Sequence, residues 1–355
     1  MPPEIDLTLF DPAHGIPALK HAKALLVRTV TKINADTFTD IPSSLKFIGT
    51  GSSGTDHLDK EYLEENGIVT ASSNGCNARA VAEYVMTALL LWKEKHHPER
   101  SIPKVGVIGV GKAGSAVTQL LSDFDIEFAA YDPPRAQREK DFSSASLEEV
   151  LNCKILTFHV PLNRKGEYTT FHWLDKKKLE GRNFKLIINA ARGGVIDELA
   201  LMKCFVEGTV QQYILDVWEH EPDFNTKVAK QAFIATPHIA GYSEQAKINA
   251  TKMVCDAMAD FFHISRSTPN YKNLSKVVDL AHIQYNLTEL LHRLHPIKEY
   301  DAALRDLFDR PDKAILFRNL RNEWPYRYEY SSLKIRPRLL DEFPELKTLG
   351  ISSHE

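Results

Sequence analysis

The sequence predicts an α/β protein: two doubly wound, parallel-sheet lobes followed by a small C-terminal α/β domain. Three observations predict it. Short β-prone apolar runs alternate with helical patterns from Ala24 to Phe262. A glycine-rich turn, Gly109-Val110-Gly111-Lys112-Ala113-Gly114, lies mid-chain between a buried-strand pattern and a helical one. From about Asn273 the pattern gives way to a stretch rich in charge and aromatic residues. At 355 residues the chain is too long for one compact core and suits two or three domains.

The elements follow in order. The first lobe, residues 1–92, has three short buried-type strands at Ala24–Val27, Phe47–Gly49 and Ile68–Ala71. Asn77–Lys95 is a long amphipathic helix with Val81, Tyr84, Val85, Ala88, Leu89 and Trp92 on one face. It is expected to link the lobes. The second lobe, residues 93–242, opens with the strand Lys104–Ile108, which runs into the glycine turn and a helix carrying Val117, Leu120 and Leu121. Glu127–Tyr131 is the next strand and ends at Asp132. Ser146-Leu147-Glu148-Glu149 has the form of a capping box and opens a short helix. Strands at Ile155–Val160, Leu186–Ile188, Tyr213–Val217 and Phe233–Thr236 alternate with helices near Leu174–Leu179 and Leu199–Val206. A second long helix, Ser243–Phe262, is expected to run to about residue 270 and complete the first lobe. Two long linking helices would form a hinge with a cleft between the lobes. In the last domain, residues 273–355, Glu323–Leu333 reads as a strand with alternating sides. Trp324, Tyr326, Tyr328 and Tyr330 lie close together there, and aromatics with arginine suit a protein interface.

Composition narrows the function. Net charge is −3, from 44 basic and 47 acidic side chains, and no long basic run exists, so nucleic acid is not an expected partner. The four cysteines, Cys76, Cys153, Cys204 and Cys255, are far apart, which predicts free thiols and neither a zinc site nor any other metal centre. The start of the chain does not read as a signal peptide, and the strongest apolar run, Val85–Trp92, is far short of the ~20 residues that span a bilayer. The expectation is a cytoplasmic protein without membrane contact.

The glycine turn carries the first chemistry. Gly109 permits the tight turn, Gly111 lets the backbone approach a pyrophosphate, and Gly114 lets helix and strand pack closely. Asp132 lies eighteen residues past Gly114, near the spacing of a carboxylate that binds a ribose 2′-hydroxyl. A carboxylate there repels a 2′-phosphate, so the predicted cofactor is NAD rather than NADP. Arg135 reads as a solvated surface residue.

The second chemistry lies at three strand ends. Asn189-Ala190-Ala191-Arg192-Gly193 follows one strand, Glu221 follows the next, and Thr236-Pro237-His238 ends the third. In a parallel sheet the carboxyl ends of strands line one crevice. An arginine there grips a carboxylate, a histidine moves a proton and a carboxylate orients the histidine. Such a set suits oxidation of a 2-hydroxy acid.

At these residues the chain resembles the D-isomer-specific 2-hydroxyacid dehydrogenases. The match runs from about Leu25 to Phe262 through the glycine turn, Asn189–Gly193, Asp216–Pro222 and Pro237–Gly241. Val27–Lys32, Gly49–His57, Gly75–Ala78 and His238–Tyr242 point to a branch acting on a phosphorylated four-carbon acid. The resemblance implies a flavodoxin-like substrate lobe, a Rossmann NAD lobe and a C-terminal domain that forms a homodimer. It implies that Arg192 holds the substrate carboxylate, that His238 exchanges the hydroxyl proton and that Glu221 orients His238. It places Lys112, Ala113, Val160, Ala190, Ala191, Asp216 and Gly241 along the cofactor, with Asp216 on its nicotinamide side. Thr29, Thr50 and Tyr242 are implied substrate contacts. Arg28 and Lys32 are either phosphate ligands or solvated cations, and Arg327 is a further phosphate candidate across a dimer interface. Two departures stand out. The family opens with a strand and helix ahead of the region matching Leu7–Asp11, which here would leave a raw sheet edge. Val160 stands where the family has a threonine. Other D-2-hydroxy acids (glycerate, 3-phosphoglycerate, lactate) and a non-catalytic NAD-sensing dimer are the alternative readings.

Overall fold

The computed structural model describes residues 5–266, 274–280 and 285–354. These divide into two compact units, Met1–Asn77 with Glu244–Leu274, and Ala78–Ser243 with Ser275–Glu355. The expected boundary at Asn273 and the end of the helix expected to reach residue 270 lie outside the described residues.

The first unit carries β1 (Ala24–Val27), β2 (Phe47–Thr50), α1 (Lys60–Glu65) and β3 (Val69–Ser72). The strands form one parallel sheet in the order β1-β2-β3. All four residues of β2 are buried, as a central parallel strand covered on both faces requires.

The second unit begins with α2 (Ala78–His96) and continues through β4 (Val105–Ile108), α3 (Lys112–Asp123), β5 (Phe128–Tyr131), α4 (Pro133–Arg138), α5 (Leu147–Asn152), β6 (Ile155–Phe158), α6 (Lys176–Leu179), β7 (Leu186–Asn189), α7 (Glu198–Val206), β8 (Tyr213–Leu215), α8 (Thr226–Gln231) and β9 (Ile234–Ala235). Its six strands are all parallel, in the order β5-β4-β6-β7-β8-β9. The order reverses beside β4, between β5 and β6, which is the switch point where an open α/β sheet binds its ligand. Every residue of β4, β6 and β7 is buried, so the near-continuous apolar runs of the sequence mark a sheet covered on both faces. Ser146 accepts the Glu149 N–H and caps α5.

α9 (Glu244–Phe262) returns to the first unit, where the Ser73 hydroxyl donates to the Ala250 carbonyl at 2.6 Å. Then β10 (Lys276–Val277), α10 (Leu287–Leu294), α11 (Ile297–Arg305), α12 (Lys313–Glu323), β11 (Leu333–Ile335), α13 (Pro337–Glu342), α14 (Pro344–Thr348) and β12 (Ser352–Ser353) complete the second unit. Their strands form a small parallel sheet in the order β10-β11-β12.

Four expectations need correction. First, α2 is not amphipathic: residues Ala80 to Trp92 are buried without a break. A helix buried on every side needs cover on every side. α3 packs on it, and so does the C-terminal segment. The boundary therefore falls at 77/78, before α2, rather than at 92/93.

Second, the C-terminal segment is not a separate unit. The buried Glu83 carboxylate on α2 accepts from Arg79 Nε (2.9 Å), Arg327 Nη1 (2.7 Å) and the Tyr330 N–H (3.0 Å). Tyr330 and Thr87 share a hydroxyl hydrogen bond of 2.6 Å. A buried carboxylate must be paired, and beside Arg79 one turn back its partners here come from the far end of the chain.

Third, Arg327 is consumed in that pair, with its side chain 3% exposed, so it is not a ligand reaching across an interface. Fourth, Glu323–Leu333 is not a strand. α12 runs to Glu323, a 3-10 turn covers Tyr330–Ser332, and β11 starts only at Leu333. The inward side chains Arg327 and Glu329 are charged and bond to α2 and Ser243, leaving only an isolated bridge between Arg327 and Ser243.

Cys76, Cys153 and Cys204 are buried free thiols and Cys255 is half-buried. Among the described residues, no helix is long and apolar enough to cross a membrane.

Candidate active site

The cofactor cradle forms at the ends of β4 and β5. Gly109 takes φ +85°, and a Cβ there would sit 2.9 Å from the His159 carbonyl carbon. A Cβ on Gly114 would lie 1.9 Å from the Gly109 carbonyl oxygen, so only glycine lets α3 start against β4. A Cβ on Gly111 would meet nothing within 4 Å, which leaves open space at the N-terminus of α3, where Lys112 and Ala113 begin the helix. The free N–H groups of that terminus suit a pyrophosphate. These residues fit NAD.

Asp132 follows β5 and caps α4, its Oδ2 accepting the Val110 N–H at 2.8 Å and its Oδ1 the Arg135 N–H at 3.0 Å. It thus ties the glycine turn to α4 beside the switch point. Arg135 is not the solvated residue the sequence suggested. Its Nη1 donates to the Val110 carbonyl at 2.7 Å, its Nε pairs with Glu139 at 2.7 Å, and its guanidinium lies over the Phe142 ring. The buried Val110 carbonyl of the glycine turn needs donors, and Arg135 and the Ser115 hydroxyl (3.1 Å) supply them. Val160 packs on the turn, its Cγ1 2.5 Å from where a Gly109 Cβ would be.

Arg192, Glu221 and His238 follow β7, β8 and β9, neighbouring strands of one parallel sheet. The buried Asn189 shapes the first loop: its side chain accepts the Ala191 N–H at 3.1 Å and donates to the Arg192 carbonyl at 3.0 Å. Ala190 is half-buried and Ala191 buried beside it. Arg192 Nη1 donates to the Ala191 carbonyl at 2.8 Å. A Cβ on Gly193 would fall 1.8 Å from the Trp218 carbonyl oxygen, so the arginine loop and the glutamate loop approach closely only with glycine there.

Glu221 is fixed at both oxygens. Oε1 accepts the Trp218 N–H at 2.8 Å and Oε2 meets His238 Nδ1 at 2.7 Å. Burial pushes the Glu221 carboxyl up, but the His238 charge and hydrogen bond, Arg321 and the Trp218 N–H outweigh it, and its pKa falls below the ordinary value. An ionised Glu221 only accepts, so Nδ1 of His238 carries a hydrogen and Nε2 is left as the ring's basic nitrogen.

Asp216 holds the histidine loop. Its carboxylate, 1% exposed, accepts from Thr236 Oγ1 (2.6 Å), the Ile239 N–H (2.8 Å) and the Ala240 N–H (2.9 Å). Tyr84 on α2 shares a 2.7 Å hydrogen bond with Thr236 Oγ1. Because that hydroxyl's one proton goes to Asp216, Tyr84 is the donor. His238 itself takes φ +60°, a strained region for a residue with a side chain. The amides of the next two residues, locked on Asp216, keep it there. Burial raises the Asp216 pKa, against His238, Thr236 and the two amides. Gly241 follows, and Tyr242 stacks on Tyr326 with ring centroids 5.5 Å apart.

The remaining expected residues lie in the first unit. Thr50 is buried, its Oγ1 2.7 Å from Ser52 Oγ and 2.9 Å from His57 Nε2. Thr29, Arg28 and Lys32 are exposed just after β1. Sequence reasoning missed Tyr84 and Thr236, which read as ordinary helix and strand residues, and did not single out Arg321. Among the described residues, His172, Asp197 and Glu219 bring one ligand atom each within 4.8 Å of the others. These groups are already engaged: His172 bonds Glu219 at 2.9 Å, and Asp197 caps α7 through the Ala200 N–H.

Residues 79–240 match the family model described as D-isomer specific 2-hydroxyacid dehydrogenase, NAD binding domain. A curated erythronate-4-phosphate dehydrogenase from Tolumonas auensis is 38% identical over 342 residues, covering 94% of this chain and 90% of the relative. This chain belongs to the D-isomer-specific 2-hydroxyacid dehydrogenase family. A Bacteroides thetaiotaomicron erythronate-4-phosphate dehydrogenase is 36% identical, with 89% of each chain covered. The structure of a D-lactate dehydrogenase from Aquifex aeolicus, complexed with NAD and lactic acid, is also similar: TM-score 0.55, 26% identity, covering 70% of this chain and 86% of that one. The cofactor of this dehydrogenase is NAD, in keeping with the carboxylate at Asp132.

Proposed function

We propose that this dehydrogenase oxidises 4-phospho-D-erythronate at C2 to 3-hydroxy-2-oxo-4-phosphooxybutanoate, a step of pyridoxal phosphate biosynthesis. The single observation that carries the chemistry is the 2.7 Å bond between His238 Nδ1 and Glu221, which leaves Nε2 as a base. The substrate is supported by the 36–38% identity to erythronate-4-phosphate dehydrogenases along nearly the whole chain.

In this reading Arg192 holds the C1 carboxylate with its bidentate fork and polarises the C2 oxygen. His238 Nε2 takes the C2 hydroxyl proton. The imidazolium so formed is balanced by Glu221, which already points at Nδ1. Bound NAD supplies the hydride acceptor. Asp216 fixes the height of His238 through the loop amides, and Thr29, Thr50 and Tyr242 belong to substrate binding. The reading extends to a cytoplasmic homodimer through residues 275–355, whose exposed Val277 and Ile315 offer apolar contact.

The test is a panel of 4-phosphoerythronate, erythronate, glycerate, 3-phosphoglycerate and lactate, with formation of reduced nicotinamide followed by absorbance. The highest kcat/KM is expected for 4-phosphoerythronate, and a higher value for any three-carbon acid would refute the substrate. NAD binding without turnover of any acid would favour the sensor. Light scattering of the intact protein is expected to give twice the chain mass.

A further inference from the structure

Arg321 lies on the last turn of α12, in the C-terminal segment of the second unit. Its Nη2 donates to the Tyr242 hydroxyl at 3.4 Å, and its guanidinium lies 6.0 Å from the centre of the same ring. Tyr242 stands four residues after His238 and is sandwiched further by Tyr326. The positive charge of Arg321 is among the influences that lower the Glu221 pKa.

Its own bonding is incomplete. Among the described residues Arg321 forms no direct ion pair, and its Nε is buried without a hydrogen-bond partner. Most other arginines near a carboxylate pair with it at once, as Arg305 does with Asp301 at 2.8 Å and Arg327 with Glu83 at 2.7 Å. A half-buried guanidinium with unused donors is an anion site in waiting, since desolvating the cation costs free energy that a bound anion offsets.

The chemistry of the substrate defines that anion. A 2-hydroxy acid carrying a phosphate has two anionic ends, and Arg192 accounts for only one. The Tolumonas and Bacteroides relatives cover 94% and 89% of this chain, too much to omit residues 275–355, which are more than a fifth of it. The segment that supplies Arg321 thus accompanies relatives named for a phosphorylated acid.

We propose that Arg321, with the Tyr242 hydroxyl, binds the terminal phosphate of the substrate and so selects phosphorylated over unphosphorylated 2-hydroxy acids. This rests on the reading of the site as an acid dehydrogenase and deepens it to the substrate's second charge. The C-terminal segment is then part of the substrate site of its own chain. Arg321 is a specificity residue, and Tyr242 is its hydrogen-bonding partner at the anion.

The experiment compares the wild type, Arg321→Met and Arg321→Lys. Each is assayed with 4-phosphoerythronate and erythronate, and each is titrated calorimetrically, as the NAD-saturated protein, with inorganic phosphate. Arg321→Met is expected to lower the ratio of kcat/KM for the phosphorylated over the unphosphorylated acid by roughly 10- to 100-fold, the worth of a charge-assisted hydrogen bond. The loss should fall mainly on KM. Phosphate affinity should drop at least about 10-fold in Arg321→Met and partly recover in Arg321→Lys. Equal losses on both acids, or phosphate binding as tight as wild type in Arg321→Met, overturn the proposal. If the wild type oxidises neither acid, but its phosphate binding is lost in Arg321→Met, the substrate reading fails and the anion site stands.

Discussion

Replacing Asp216 by asparagine isolates the loop that carries His238. The carboxylate serves three donors, Thr236 Oγ1 and the Ile239 N–H on Oδ1, and the Ala240 N–H on Oδ2. Asparagine keeps one carbonyl oxygen. Placed where Oδ1 stands, it preserves two bonds and turns its NH2 toward the Ala240 N–H, donor against donor. One buried amide is then unsatisfied, at a cost of about 1–3 kcal/mol. For a unit of this size that is a fall in Tm of roughly 3 to 10 °C. The functional loss should be larger, because His238 sits at φ +60° and only the anchored amides hold it there. A shift of about 1 Å in a catalytic base costs on the order of 100-fold in kcat. Thermal unfolding and steady-state kinetics of Asp216→Asn check both. A Tm within about 1 °C of wild type, together with unchanged kcat, would refute the claim that Asp216 positions the histidine.

Glu198 gives a pH-dependent prediction. Burial, with the Glu219, Glu221 and Asp197 charges and against the hydrogen bond from the Glu219 N–H, raises its pKa from 4.5 to about 8. The folded form then keeps a proton that the unfolded chain loses, so stability falls as pH rises from about 5 to about 8. At pH 7 the loss is on the order of 3 kcal/mol, and Glu198→Gln should abolish it: a higher Tm than wild type at pH 8 and a nearly equal one at about pH 4, below the unfolded pKa. Glu83→Ala removes the anion facing Arg79 and Arg327 and should destabilise by about 3–5 kcal/mol in urea unfolding. Gly193→Ala places a methyl on the Trp218 carbonyl and should lower kcat with a smaller effect on the NAD KM.

Local rules made much of this protein legible. β1 is Ala24–Val27 as read, because four apolar residues bounded by turns leave no other assignment, and β7 and β5 differ from their sequence readings by a single residue. The glycine turn and Asp132 stood out because phosphate binding demands small residues at fixed spacing. Arg192, Glu221 and His238 stood out because each lies in the loop after a strand of one parallel sheet. What stayed hidden depends on distant partners. Nothing in the run Ala80–Trp92 announces that Arg327 and Tyr330 cover its far side. The alternation at Glu323–Leu333 was real, but its inward positions carry charge, which the period of two does not register. Arg135 looked solvated because the Val110 carbonyl it serves lies twenty-five residues away. Nothing local singled out Arg321, since its neighbour Tyr242 lies in a loop seventy-nine residues away.

The claim most open to direct attack is that Glu221 acts only through His238. A double-mutant cycle on kcat/KM with 4-phosphoerythronate, using Glu221→Gln, His238→Ala and the pair, measures that dependence. The pair is expected to be no slower than His238→Ala alone, because the carboxylate has nothing to orient once the imidazole is gone. Losses that multiply in full would show that the two residues act independently.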